Sequence, residues 1–213
     1  MKKIMFNDRY GLTEAVLEGR KTMTRRIIPP IVIDWNRRGK VTLPVSSFEG
    51  ETLFMDASAI LDQDFEYPAP AKYQPKFNAE EIVAVAQSYE SIFDEMMAGD
   101  YGDSIYDAFR WADITESPGW NNKMFVCAGL MPHQIRITNV RIERLQDISE
   151  EDCVKEGIWE AQQVNYTSID GIPYSPREAF ATLIDKVSGR GTWKSNPWVY
   201  VYEFELVKQN YDK

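Results

Sequence analysis

Histidine is almost missing from this 213-residue chain. His133 is the single one, and Cys127 and Cys153 are the only cysteines. That scarcity removes two chemistries. A zinc site needs His and Cys ligands at close spacing, and no such spacing occurs here. A Ser–His–Asp triad would rest wholly on His133, which follows Met131-Pro132 and reads as a structural or surface residue. Long apolar runs are lacking too. None approaches the ~20 residues of a membrane helix, and the lysines of Met1-Lys-Lys-Ile-Met-Phe-Asn7 are not followed by a secretory-type apolar stretch. The expectation is a cytoplasmic, reduced protein with no membrane partner, no metal and no other cofactor. Positive charge is also short. Lys and Arg number 24 against 33 Asp and Glu, a net charge of -9. Broad binding to duplex nucleic acid needs a basic surface, so that class is disfavoured, whereas a small basic pocket is not.

What is present is ordinary globular material, 44% hydrophobic and 27% charged. A chain of this length buries roughly 70% of its unfolded surface, enough for a core without disulfides. Against the acidic background one stretch stands out: Gly19-Arg20-Lys21-Thr22-Met23-Thr24-Arg25-Arg26. Before it, Leu12, Ala15 and Val16 fall at helical spacing, and Gly19 suits the stop of that helix. After it, Thr22 to Ile28 favours a strand, closed by Pro29-Pro30. The cations therefore sit where a helix hands over to a strand. They are either a solvated surface run or the wall of a pocket.

The remaining pattern alternates strands with a few helices. Strands are expected at Lys3–Phe6, Glu81–Glu90, Gln134–Leu145 and Pro197–Leu206. Lys40–Leu43 and Glu51–Met55 read as one hairpin. Residues 62–76 read as a proline-rich surface loop. Helices are expected over Ser91–Gly99, over Glu150–Glu156 with Ser149 as cap and Gly157 as stop, and over Pro176–Val187. Asp100 to Asn122 is polar, and its Trp111 and Trp120 suit core or lid packing. Gly189-Arg190-Gly191 lacks the strand and lysine of a phosphate loop.

Gly19-Arg20-Lys21-Thr22-x-Thr24-x-Arg26 resembles the signature of the ASCH family, relatives of the PUA-like fold. The wider match is to the larger members found in phages and prophages. Four patches carry it in order: Ile4 through Arg26, Gln134–Glu143, Arg144–Ile158 and Asn196–Glu205. The resemblance implies an α+β fold: a small mixed PUA-like β-barrel with flanking helices, one domain over 1–213, with insertions at about 30–79 and 91–130. It implies a module that binds RNA, a nucleotide or a modified nucleoside, with Arg20, Arg25, Arg26 and Gln87 contacting the ligand. Some small bacterial members are amidohydrolases that deacylate N4-acetylcytidine with a lysine, a threonine and a glutamate. By motif these fall on Lys21, Thr24 and Glu156. The chain departs from the family at Ala79-Glu80-Glu81 and Ala84-Val85-Ala86-Gln87. A Gly-Asp turn and a charged strand end are usual there, and Gln87 and Glu90 are partial substitutes. A phage-derived protein-interaction factor, its acidic surface meeting a basic partner, is the third reading.

Amide cleavage needs a nucleophile, a base and an oxyanion partner. Thr24 supplies a hydroxyl. Lys21 is a base only when neutral, and lowering a lysine pKa from ~10.4 by about three units takes ~4 kcal/mol. The neighbouring arginines push that way and an ionised Glu156 pushes back. A charged Lys21 would serve as the oxyanion partner instead. Residues three apart on a regular strand face opposite ways, so Lys21 and Thr24 converge only if Lys21 lies in the turn before the strand.

Overall fold

A computed structural model describes residues 1–28, 31–34, 40–43, 47–49, 52–54, 72–73, 75–99, 111–158 and 175–207, the short strands between 31 and 73 by backbone alone. In chain order the elements are β1 (Lys3–Ile4), α1 (Leu12–Leu17), β2 (Met23–Ile27), β3 (Ile31–Asp34), β4 (Lys40–Leu43), β5 (Ser47–Glu49), β6 (Thr52–Phe54), β7 (Lys72–Tyr73) and β8 (Ile82–Val85). There follow α2 (Tyr89–Met97), α3 (Trp111–Thr115), β9 (Gln134–Arg144), α4 (Glu150–Lys155), α5 (Pro176–Ser188), α6 (Thr192–Ser195) and β10 (Trp198–Val207). The result is a mixed α/β architecture around a five-stranded sheet, in the order β1-β8-β9-β10-β2.

The two long alternating runs of the sequence form the middle of this sheet. Antiparallel pairing of β9 with β10 runs from Trp198 opposite Arg144 to Val207 opposite Gln134, with a bulge between Glu203 and Phe204. Strand β1 joins β8 in parallel, and β2 joins β10 antiparallel. Among the described residues the sheet is open. Its edges, β1 and β2, do not pair, and a barrel would require closure.

Directly opposed residues share a face of the sheet. Thr24 lies opposite Tyr202 and Arg26 opposite Tyr200, while Arg25, Val201 and Arg141 align on the other face. One apolar cluster joins Ile4, Phe6, Leu12, Val16, Met23, Val83, Ile135, Ile137, Leu145, Phe180, Leu183 and Tyr202. It welds α1, α4 and α5 to the sheet, since Cys153 of α4 belongs to it as well. A smaller cluster of Ala84, Ala86, Tyr89, Ile92, Met96 and Val126 seats α2.

Local chemistry explains most boundaries. Ser149 Oγ accepts from Asp152 N at 3.1 Å and opens α4. Gly157 follows its end at φ 95°, where a glycine avoids left-handed strain. A capping box of Ser175 and Glu178, with Pro176 in the first turn, opens α5.

Two expectations are corrected. The strand expected over 81–90 ends at Val85, because Ser88 Oγ accepts from Ser91 N and caps α2. Tyr89, Ile92 and Met96 then fall on one buried helical face. Among the described residues the hairpin joining 40–43 to 51–55 does not form. Strand β4 pairs with β3, whose Ile-Val-Ile run is itself β-prone, and β6 pairs with β5 and β7. Most of the loop expected over 62–76, and residues 100–110 of the polar stretch, lie outside the described residues.

Candidate functional site

The basic junction is built by backbone hydrogen bonds before any side chain matters. Gly19 turns the chain at φ 74°. Lys21 N then donates to Ala15 O at 2.8 Å, and Thr22 N donates to Lys155 O at 2.9 Å. Lys21 is thus fixed in the turn ahead of β2 and tied to α1, while the next residue is tied to α4. That placement satisfies the condition for Lys21 and Thr24 to converge. Both line a cavity of about 650 Å³, together with Glu156, Arg25, Arg26, Phe6, Asp8, Lys123 and the Phe180–Ser188 side of α5.

Glu156 is the C-cap of α4, and Lys21 is its direct partner. Lys21 Nζ donates to Glu156 Oε2 at 2.7 Å and to the Glu156 carbonyl at 2.6 Å. Lys21 is 2% exposed and Glu156 4%, so this pair is held out of bulk water. Desolvation pushes the Lys21 ammonium below its ordinary 10.5. Glu156 opposes this by charge and hydrogen bond, and Arg26 and Arg25 add to the lowering. Thr24, one strand position from Arg25 and two from Arg26, is also buried against the cavity.

The other cations divide into three kinds. Arg26 is solvent-exposed at the cavity. One of its nitrogens donates to Met5 O at 2.6 Å, and its guanidinium lies 5.7 Å from the Phe6 ring. Arg25 points the other way and is buried. Nε and Nη2 donate to Glu143 Oε1 at 2.9 and 2.5 Å, Nη2 to Asp152 Oδ2 at 3.0 Å, and Nη1 to Glu156 Oε1 at 3.1 Å and Met23 Sδ at 3.2 Å. Those five contacts match the five N–H donors of a guanidinium, so none remains for a ligand. Arg20 pairs with Glu18 on the surface and does not line the cavity. Gln87 is elsewhere as well. Its Nε2 donates to Glu95 Oε1 at 2.5 Å, beside a separate recess of about 270 Å³. His133 sits 3.5 Å from the same Glu95, outside the lining of the larger cavity.

The structure therefore gathers Lys21, Thr24, Glu156 and Arg26 at one cavity, turns Arg25 into internal support, and leaves Arg20 and Gln87 apart. Sequence reasoning missed Glu143 and Asp152 as partners of Arg25, and the apolar wall made by Leu12, Leu183, Ile184 and Val187. The only advance signal for that wall was the apolar spacing of 180, 183, 184 and 187 on α5. Among the described residues no group of His, Cys, Asp and Glu is arranged to hold a metal ion, and no helix is long and apolar enough to cross a membrane. No family model, no curated protein and no solved structure matches the chain.

Proposed function

We propose that the chain is an ASCH-type, PUA-like module whose cavity binds a modified nucleoside or a nucleotide, free or displayed at an unpaired position of RNA. The observation that carries this reading is the convergence of Lys21, Thr24, Glu156 and Arg26 on one cavity of about 650 Å³. That volume falls in the ~300–1,000 Å³ range of small-molecule sites. One wall is apolar and accommodates a base or an acyl group, while Arg26 presents a cation to an anionic or carbonyl-rich edge. The PUA-like part is supported by the basic run on edge strand β2 of a five-stranded sheet, with helices packed against it. The test is calorimetric titration with cytidine, N4-acetylcytidine, cytidine monophosphate and a short single-stranded RNA. Arg26→Ala is expected to weaken the best ligand at least ~10-fold, the loss of about one charge-assisted hydrogen bond. Unchanged affinity in both Arg26→Ala and Lys21→Ala would remove the reading.

A second reading, amide hydrolysis of an N4-acylated cytidine, is favoured by one specific feature. Lys21 is a buried amine whose ammonium form is disfavoured, in the same cavity as a threonine hydroxyl. In its neutral form Lys21 takes the Thr24 proton as the hydroxyl attacks the acyl carbon and returns it to N4 as the C–N bond breaks and cytidine leaves; water then hydrolyses the Thr24 ester to the free acid. In its charged form it stabilises the oxyanion instead. The two roles separate by pH. A base gives a rate that rises through a pKa below 10.5, whereas an oxyanion partner gives one that falls. Release of cytidine from a panel of N4-acylated cytidines, against a Lys21→Ala control, decides whether the reaction occurs.

A further inference from the structure

Arg25 belongs to the basic run, yet its geometry is that of a brace. Its donors reach three carboxylates on two elements: Glu143 on β9, Asp152 within α4 and Glu156 at the end of α4. Two of those carboxylates are shared again. Arg141 Nη2 donates to Asp152 Oδ2 at 2.9 Å, Arg141 Nε to Glu143 Oε2 at 3.2 Å, and Arg141 Nη1 pairs with Glu203 on β10. The chain of ion pairs thus runs from Lys21 through Glu156, Arg25, then Glu143 and Asp152, to Arg141 and Glu203. It crosses from the cavity to the far face of the sheet.

Within this chain Glu156 is divided between two cations, with Oε2 on Lys21 and Oε1 on Arg25. Neither oxygen can swing toward a ligand without breaking an ion pair at 4% exposure. We propose that Arg25 is a positioning residue. It fixes the carboxylate plane of Glu156 and takes up half of its charge, and so sets the position and protonation of Lys21 at the cavity. This deepens the function proposed above and rests on it only for what Lys21 does to a bound ligand.

The direction follows from electrostatics. The charged groups around Lys21 are Glu156 from α4, Arg25 and Arg26 from β2, and Asp8, Arg9 and Lys123 across the cavity. Without Arg25 the full charge of Glu156 faces Lys21, and one nearby positive charge is gone. Both changes favour the ammonium.

The test is an NMR titration of 13C-labelled lysine side chains, with Lys21 assigned by the signal missing in Lys21→Met. In Arg25→Gln the Lys21 signal is expected to titrate at higher pH than in wild type. Arg25→Lys keeps a charge but cannot span all three carboxylates, and it is expected to shift the same way by less. Circular dichroism identifies which variant is folded, and the folded one decides. A Lys21 titration unchanged from wild type in that variant overturns the proposal. If the wild type deacylates a nucleoside, Arg25→Lys is expected to lower kcat by ~100-fold, the scale of a misplaced reacting group, with KM little changed. A wild-type kcat in Arg25→Lys would equally overturn it. Absence of turnover in every variant sinks the hydrolase reading alone, because the Lys21 titration still reads the role of Arg25.

Discussion

At the residue scale the sharpest feature is a lysine removed from water and answered by one carboxylate. Breaking such a pair from one side leaves a buried charge stranded, typically a loss of ~3–5 kcal/mol. Glu156→Gln is therefore expected to destabilise the chain by about that amount in urea unfolding, whereas Arg20→Ala, removing a surface pair with Glu18, is expected to change it by under ~0.5 kcal/mol. Lys21 also makes stability depend on alkaline pH. Its native pKa lies below 10.5, so between the two values the unfolded chain binds more protons and stability rises with pH. Cys153 acts oppositely. Burial pushes its thiol from 9.0 up to about 12, so its contribution is lost as pH climbs across that interval. Comparing urea midpoints of wild type and Lys21→Met from pH 8 to 10 isolates the lysine part, which the variant lacks. The same burial protects Cys153 chemically. Iodoacetamide at pH 8 is expected to add one mass increment to the native chain, at exposed Cys127, and two after denaturation.

At the scale of elements, the short connections hold the site. Gly157 and Gly19 both sit at positive φ, where alanine costs about 1–2 kcal/mol. Their surroundings differ. A Cβ on Gly19 would meet open space, and one on Gly157 would sit 3.4 Å from Lys21 Cβ and 3.5 Å from its Cδ. Both alanine variants are expected to lose similar stability by thermal unfolding, and because the added methyl at 157 makes only ordinary van der Waals contact with the lysine stem, neither is expected to displace Lys21 by a clash.

What was readable beforehand follows the same division. The turn at Gly19, the Ser149 cap and the stop after Glu156 depend on residues within a few positions of one another. Their local chemistry placed the elements, while the pairing of Lys21 with Glu156, 135 positions apart, came from the family resemblance and not from any local pattern. The fate of Arg25 depends on Glu143, 118 positions away on β9, and no local pattern carries such a pairing. Arg20 and Gln87 were misplaced for a related reason. A motif gives residue identity, but the side of the chain a residue faces is set by turn geometry for Arg20 and by the early start of α2 for Gln87. The β3–β4 pairing was missed because the Ile31–Asp34 strand, directly after Pro29-Pro30, reads in sequence as part of a loose proline-bearing stretch.

At the scale of the whole molecule, the acidic balance and the basic recess make different demands on a ligand. A net charge of -9 opposes long polyanions, while the cavity offers two exposed arginines, Arg9 and Arg26. Few counterions would be released on binding. The affinity of the preferred nucleoside or short RNA is expected to fall by at most about 25-fold between 50 and 500 mM NaCl, a log–log slope of about -1.4 or shallower for two phosphate contacts, and duplex is expected not to bind. Fluorescence anisotropy over that salt series checks both.

Among the described residues strand β2 has one neighbour in the sheet, and that neighbour is β10. Every described residue lining the cavity precedes β10 in the chain, from Met5 to Ser188, and synthesis proceeds in that direction. A growing polypeptide thus completes this set of side chains about ten residues before the strand that aligns them begins. Competence for ligand would then arrive abruptly, as a late event of maturation, rather than accumulating as the helices form.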